Sequence, residues 1–233
     1  MKQPKTARRS RFTKLIQTPS QTVGRVVLHS KELNPADFSS NRPLVLGIDP
    51  GYGGALGLYD QRNRSLLNVK SMPLTNDSFG KKEISLPELV EHIASYKDQI
   101  AFAAMEKVQS MPEQGVASMF NFGMGYGKIR GVLAALGVPT YLVRPQDWKL
   151  AMHLVGKDKL WSRNMAMDMF PDQKHEFSRS KDDGKAEAML IAVYGSLYCG
   201  RLISSEKEQG EVKDSSQDAS QDAIQDEGHE IFD

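Results

Sequence analysis

The chain has 233 residues, 39% of them hydrophobic and 25% charged, with a formal net charge of +1 at pH 7, enough for one sizeable core with flanking segments. Its one cysteine, Cys199, excludes an internal disulfide and suits a reducing compartment; no apolar run reaches the roughly 18 residues of a membrane span, and the apolar stretch of a secretory signal is missing near the start. The balance of charge hides a gradient: residues 1–42 carry nine Lys/Arg and two acids, 43–204 carry nineteen and seventeen, and 205–233 carry two and ten. A basic arm and an acidic tail thus flank a nearly neutral core.

In chain order, residues 1–42, with the run TARRSRFTK, have no periodicity and read as a disordered arm. That composition suits a phosphate-binding arm, an organelle-targeting segment or a plain solvated tail. Residues 43–204 read as the folded domain. Leu44–Asp49, Ala55–Tyr59 and Leu66–Ser71 are expected as three strands joined by short turns, an antiparallel meander. Ser85 and Glu88 have the spacing of a capping box, opening a helix through Tyr96. Then come a strand over Ile100–Val108, a helix within Gly115–Leu136, a strand over Thr140–Val143, and helices over Lys159–Met169 and Asp183–Tyr198. The order is a mixed sheet with packed helices, an α/β fold. Three strands at the start argue against a dinucleotide-binding unit, which needs a helix after its first strand. Residues 205–233 repeat a Gln-Asp unit with little apolar content and read as a disordered tail.

Two acids fall at strand ends: Asp49 closes LVLGID, and Glu106 closes AFAAME. A carboxylate beside a buried strand is costly unless something neutralises it. A third group lies in SKDDGKAEAMLIAVYG. Asp183 and Glu187, four apart, stack on one helix face and repel unless a cation lies between them. Asp182 points elsewhere. Acids at a helix start also complement its dipole, which accounts for Asp182 and Asp183. It does not account for Glu187, set among Ala186, Ala188, Met189, Leu190 and Ile191. These candidates are all oxygen donors, with no Cys/His cluster, a set that favours Mg²⁺ or Mn²⁺ over zinc. Four carboxylates holding two such ions suit phosphodiester hydrolysis. Asp49 would then bridge the ions, and Gly51, Gly53 and Gly54 would let a phosphate backbone approach.

GIDPG with its small-residue second strand, followed by MEKVQSMPEQGVASMFNFGMGYG, LVRPQDWK, KLWSRNMAMDMFP and KDDGKAEAMLIAVYG, resembles the RuvC-type Holliday junction resolvases. The match runs over about residues 44–200 and is most similar to the bacterial and phage RuvC-like proteins and the chloroplast Holliday junction resolvases. As an ordered set these motifs are specific, whereas GIDPG alone is not. The resemblance implies a ribonuclease H-like fold, with a mixed five-stranded sheet and helices on both faces. It implies a homodimer that nicks two strands of a four-way DNA junction with Mg²⁺, two ions per site, with Mn²⁺ as a substitute and no small-molecule cofactor. Asp49, Glu106 and Glu187 match the family's acids, the last being Asp in many members. The family commonly has Asp or His three before that acid, where this chain has Gly184. The chloroplast relatives have His four before it, where this chain has Asp183. Asp183 is therefore the expected fourth ligand, with Asp182 the alternative. Lys159 resembles the family's active-site lysine, against a simpler role as a surface residue near a helix start.

Gly123, Gly127 and Gly131 make a smooth helical stripe where another backbone can come close. The family's dimer contact lies in this region; packing on the protein's own sheet is the alternative. The loop Gln109–Asn121 is placed to probe DNA, with Gln109, Gln114, Phe120 and Asn121 as base contacts or stacking groups, although Met119 and Phe120 also read as core. Lys107, Lys128, Lys181 and Lys185 are candidate phosphate contacts, as are Lys81, Lys82 and Arg130. Trp148 reads as packing, and His153 and His175 have no metal-ligand spacing. The leading expectation is a Mg²⁺-dependent junction endonuclease in a bacterial or phage cytoplasm, or in an organelle if the arm is a transit segment. The alternative is a junction-binding protein that does not cut. A sugar-kinase-like phosphotransferase shares the strand-Asp-Gly hairpin, but needs two such domains, for which the core is too short.

Overall fold

A computed structural model of the chain describes residues 42–109 and 115–199. The basic arm up to residue 41, Gln114 and the acidic tail lie outside the described residues. The described residues form seven strands, β1 Leu44–Asp49, β2 Ala55–Asp60, β3 Ser65–Ser71, β4 Leu74–Asn76, β5 Lys82–Ile84, β6 Ile100–Glu106 and β7 Thr140–Val143, and five α-helices. These are α1 Leu86–Ala94, α2 Val116–Ala135, α3 Pro145–Ala151, α4 Lys159–Met169 and α5 Asp183–Tyr194. Five strands form one sheet in the order β3-β2-β1-β6-β7, and β4 and β5 form a separate hairpin. β1, β2 and β3 are antiparallel, while β6 and β7 run parallel to β1 and β6 respectively. This is the α/β arrangement, a mixed five-stranded sheet with packed helices, that the sequence leads one to expect.

The central strands explain themselves. β1 and β6 are buried on both faces, so they read as continuous apolar runs rather than as an alternation. Side chains still alternate between faces. Leu44, Leu46, Ile48 and Met105 pack with Leu89 and Ile93 of α1 and Ile129, Val132 and Leu133 of α2. Val45, Phe102 and Ala104 pack with Trp148 of α3, Ala166 of α4 and Met189, Leu190 and Val193 of α5. Helices therefore cover both faces. On the second face β1 and α5 come into backbone contact: a Cβ on Gly47 would run into the Ala188 carbonyl oxygen and the Ala192 nitrogen. By alternation, Asp49 faces the same side as Gly47, and Glu106 the same side as Ala104.

Several boundaries differ from the sequence reading. The capping box does not form, since the Ser85 side chain makes no cap hydrogen bond; Pro87 in the first turn pre-sets the backbone instead. β6 stops at Glu106, not Val108, because its partner β7 ends at Val143. α5 gives way after Tyr194 to a wider π-type turn over Gly195–Cys199. There a Cβ on Gly195 would crowd Ala104. The β4–β5 hairpin and α3 are elements additional to those the sequence pattern shows. Among the described residues no helix is long and apolar enough to cross a membrane.

Candidate active site

The three acids singled out by pattern meet at one end of the sheet. β1 and β6 are parallel neighbours in register at Ile48 and Met105. Asp49 and Glu106 therefore follow side by side, on strands about 4.8 Å apart. α5 lies across them with its first turns toward the Asp49 end. A Cβ on Gly184 would strike the Gly53 carbonyl oxygen, in the turn just after β1. Glu187, three residues on, is thereby brought over the strand ends. The residue type at position 184 follows from this docking: an Asp or His there has no room, whatever its chemistry. Gly54 is likewise required by the fold, because a Cβ on it would meet the Asp49 backbone. Gly53 faces open space and leaves room for an approaching group.

The acids feel one another. The Asp49 carboxyl is pushed up to about 7, first by burial, then by the charges of Glu187 and Glu106. The Gly51 N–H, which donates to Asp49 Oδ1 at 3.4 Å, and the Lys159 ammonium pull the other way. Glu187 is raised by burial as well, opposed first by Lys149 and then raised further by Glu106. Two carboxyls crowded by a third in a poorly solvated place favour protonation unless a cation arrives.

Four neighbours complete the site. Trp148 Nε1 donates a hydrogen bond to Glu106 Oε1 at 2.9 Å. Lys149 Nζ lies 4.0 Å from Glu187 Oε1. Lys159, at the first position of α4 after the N-cap Asp158, is exposed, and its charge acts on both Asp49 and Glu187. Asp183 sits 2.9 Å from Arg163 Nε, and its charge is felt by Glu187. That contact is close but badly directed: Arg163 Nε and Asp183 Oδ1 are both buried without a well-formed hydrogen bond. Asp182 is a different matter. It accepts from Arg179 Nε and NH2 at 2.9 Å each and from the Arg179 backbone N–H at 3.0 Å. These bonds hold its carboxyl below the usual range. Asp182 thus has its counter-charge within the chain.

The outlying residues divide by exposure. Lys107, Gln109, Phe120, Asn121 and Lys181 are exposed; Phe120, at 70% relative exposure, is not core. Lys128 and Lys185 are not free for phosphates, being paired with Glu83 and Glu176 respectively. Gly123, Gly127 and Gly131 look into open space, so the stripe does not serve the protein's own sheet. Gly125, Ile129, Val132 and Leu133 are the residues α2 buries. The stripe continues the exposed apolar residues Val116, Phe120 and Met124 along the helix. Trp148 is the site residue the sequence did not disclose, since a donor and an acceptor 42 residues apart leave no local pattern.

The donor set fits a hard divalent cation. Asp49, Glu106 and Glu187 supply carboxylate oxygens whose mutual repulsion a cation relieves, and Asp183 Oδ1 is a further buried oxygen lacking a well-directed bond. Among the described residues no three such side chains are already closed up as an ion cage. Holding an ion therefore takes some rotation of these side chains.

No family model and no curated protein matches the chain. Among solved structures it is similar to RuvC of Thermus thermophilus in complex with a Holliday junction substrate, with 17% identity, 66% of this chain and 94% of that chain covered, and a TM-score of 0.45. It is also similar to a second Thermus thermophilus RuvC structure, with 17% identity, 66% and 95% covered, and a TM-score of 0.42. At 17% identity neither speaks to the chemistry of this chain.

Proposed function

We propose that the protein is a divalent-metal-dependent endonuclease that resolves four-way DNA junctions. The observation that carries the reading is the convergence of Asp49, Glu106 and Glu187 at the adjoining ends of β1 and β6 and the first turns of α5, where burial first, and then the charges of Glu187 and Glu106, push the Asp49 carboxyl up to about 7. A fold does not place three acids in one partly buried spot for its own stability. Asp49, Glu106 and Glu187 would hold Mg²⁺ or Mn²⁺, with Asp183 as the fourth ligand. The chemistry such ions supply when bound is an activated water and a counter-charge for the leaving oxygen. The chain's own residues do the rest. The Asp49, Glu106 and Glu187 carboxylates, which repel a phosphate by themselves, would fix where the cations sit, and Lys159 would offset the charge that develops on the phosphate. Lys107, Gln109, Asn121, Lys181 and Phe120 are exposed for contact with the DNA arms and crossover, and Gln114 joins them in this reading. The exposed apolar face of α2 supports a second copy of the chain as partner, which would give two cuts related by symmetry.

The test is incubation of the full chain with a synthetic four-way junction, a matched duplex and a single strand, under Mg²⁺, Mn²⁺ or EDTA. Paired nicks on the junction alone, absent in EDTA, are expected. Equal cutting of all three substrates would make it a general nuclease. Junction binding without nicking in either metal would make it a binding protein on the same fold.

A further inference from the structure

The short helix α3 brings two consecutive side chains to the acids. Trp148 is fully buried, at 0% relative exposure. An indole N–H can donate but not accept, and when buried it needs a partner. Trp148 takes that partner from Glu106, at 2.9 Å, rather than from a backbone carbonyl. Lys149 lies over the same indole, with Nζ 5.1 Å from the ring centroid, and reaches to 4.0 Å from Glu187 Oε1. α3 itself is pinned at its start, where Arg144 grips Asp147 through Nε at 2.8 Å and NH2 at 2.9 Å. The ring is packed into the core that also contains Phe102, Ala104 and Val143. It cannot swing away, so the position of its N–H is fixed by the fold.

We propose that Trp148 is a positioning residue for a divalent cation: its indole N–H holds one oxygen of Glu106 and thereby sets how the carboxylate is turned toward the ion. The inference rests on the metal reading above. Trp148 touches neither the ion nor the DNA and acts through Glu106. Hydrogen-bond partners behind a ligand typically contribute about 10–100-fold to metal affinity. Because the indole is bonded to the ligand and capped by Lys149, its emission should also report ion binding.

The chain has two tryptophans, so Trp161→Phe leaves Trp148 as the sole tryptophan, read by excitation at a wavelength that tyrosine does not absorb. In the full chain carrying that change, Mn²⁺ titration is expected to quench Trp148 saturably, with reversal by EDTA and loss of the effect in Glu106→Gln. Calorimetric Mn²⁺ titration of Trp148→Phe is expected to give a dissociation constant about 10–100-fold weaker. A fold defect is separated by a second variant: with Trp161→Phe in place, Trp148 is replaced by its benzothienyl isostere, which keeps the ring's shape and lacks the N–H. That protein should unfold in EDTA at the same temperature as its parent and still bind Mn²⁺ more weakly. Unchanged Mn²⁺ affinity in the isostere protein, with the wild type binding normally, overturns the role of Trp148 and leaves the metal reading standing. A wild type that binds no Mn²⁺ brings down both.

Discussion

Two groups of acids lie at the same end of this molecule, and the chain treats them in opposite ways. Asp182 is wrapped by Arg179, whose guanidinium and backbone N–H all donate to it, and its carboxyl is held below the usual range. Asp49 is partly buried, yet only one long hydrogen bond from Gly51 and the charge of Lys159 are set against burial and two neighbouring carboxylates. Its carboxyl ends near neutrality. Where the fold needs an acid, it supplies the counter-charge itself. Where the counter-charge is left incomplete, a cation from outside is the remaining way to balance it.

The change that tests this contrast most severely is Asp49→Asn. Junction cleavage should fall by about 10³-fold or more, since several kcal/mol of charge stabilisation depend on the ion that Asp49 would hold, whereas junction binding should persist. The same substitution should have an opposite effect on stability without metal. Asp49 titrates near 3.8 when unfolded and about 7 when folded. Between those values the native state binds more protons, so wild-type stability declines as pH rises through about 7. The variant lacks the Asp49 part of that slope and keeps the one from Glu187, whose carboxyl burial also raises. Urea unfolding in EDTA should show the Asn protein more stable by a few kcal/mol at pH 8 and no more stable at pH 4. Mg²⁺ should then restore the wild type and leave the variant unmoved.

Asp182→Asn should behave in the reverse manner. It removes hydrogen bonds from the start of α5 that involve a charged group, and should cost about 1–2 kcal/mol at pH 7. The Asp182 carboxyl is lowered on folding, so its contribution is present above the unfolded value of 3.8 and is lost as pH falls through the folded one. The variant and the wild type should therefore converge in acid. Mn²⁺ affinity should not change. If Asp182→Asn weakened Mn²⁺ binding as much as Asp49→Asn does, the division between the two groups of acids would be wrong.

Much of this contrast is legible in the sequence, for reasons that particular residues make plain. Asp49 and Glu106 each end a long apolar run, and a run of that kind in a mixed sheet is a central strand. Glu187 stands out because its helix is otherwise apolar. What is not legible depends on tertiary partners. Asp182 and Asp183 look equivalent as neighbours in SKDDG, and only the positions of Arg179 and Arg163 separate them. Lys128 and Lys185 look like any surface lysines until Glu83 and Glu176 meet them. Gly184 reads as a missing ligand until α5 is docked on the carbonyl of Gly53. The strands of the β4–β5 hairpin are three residues each, too short for any alternation to register.

Asp183 falls between the two groups and gives the finest test. It has an arginine, as Asp182 does, but the contact with Arg163 Nε at 2.9 Å leaves both atoms without a well-directed hydrogen bond. It is also close enough to Glu187 for their charges to interact, which Asp182 is not shown to do. An acid in this position can leave its arginine at little cost and join an ion. Asp183→Asn should then lower Mn²⁺ affinity by up to about tenfold, less than the loss of a central ligand, with little change in metal-free stability. Arg163→Gln sharpens the comparison, because it frees Asp183 without altering any carboxylate. Mn²⁺ should bind more tightly to that protein, and the gain should vanish in the double variant with Asp183→Asn. A gain that survives in the double variant would mean that Arg163 opposes the cation through its own charge alone, and Asp183 would then belong with Asp182 as a residue of the fold.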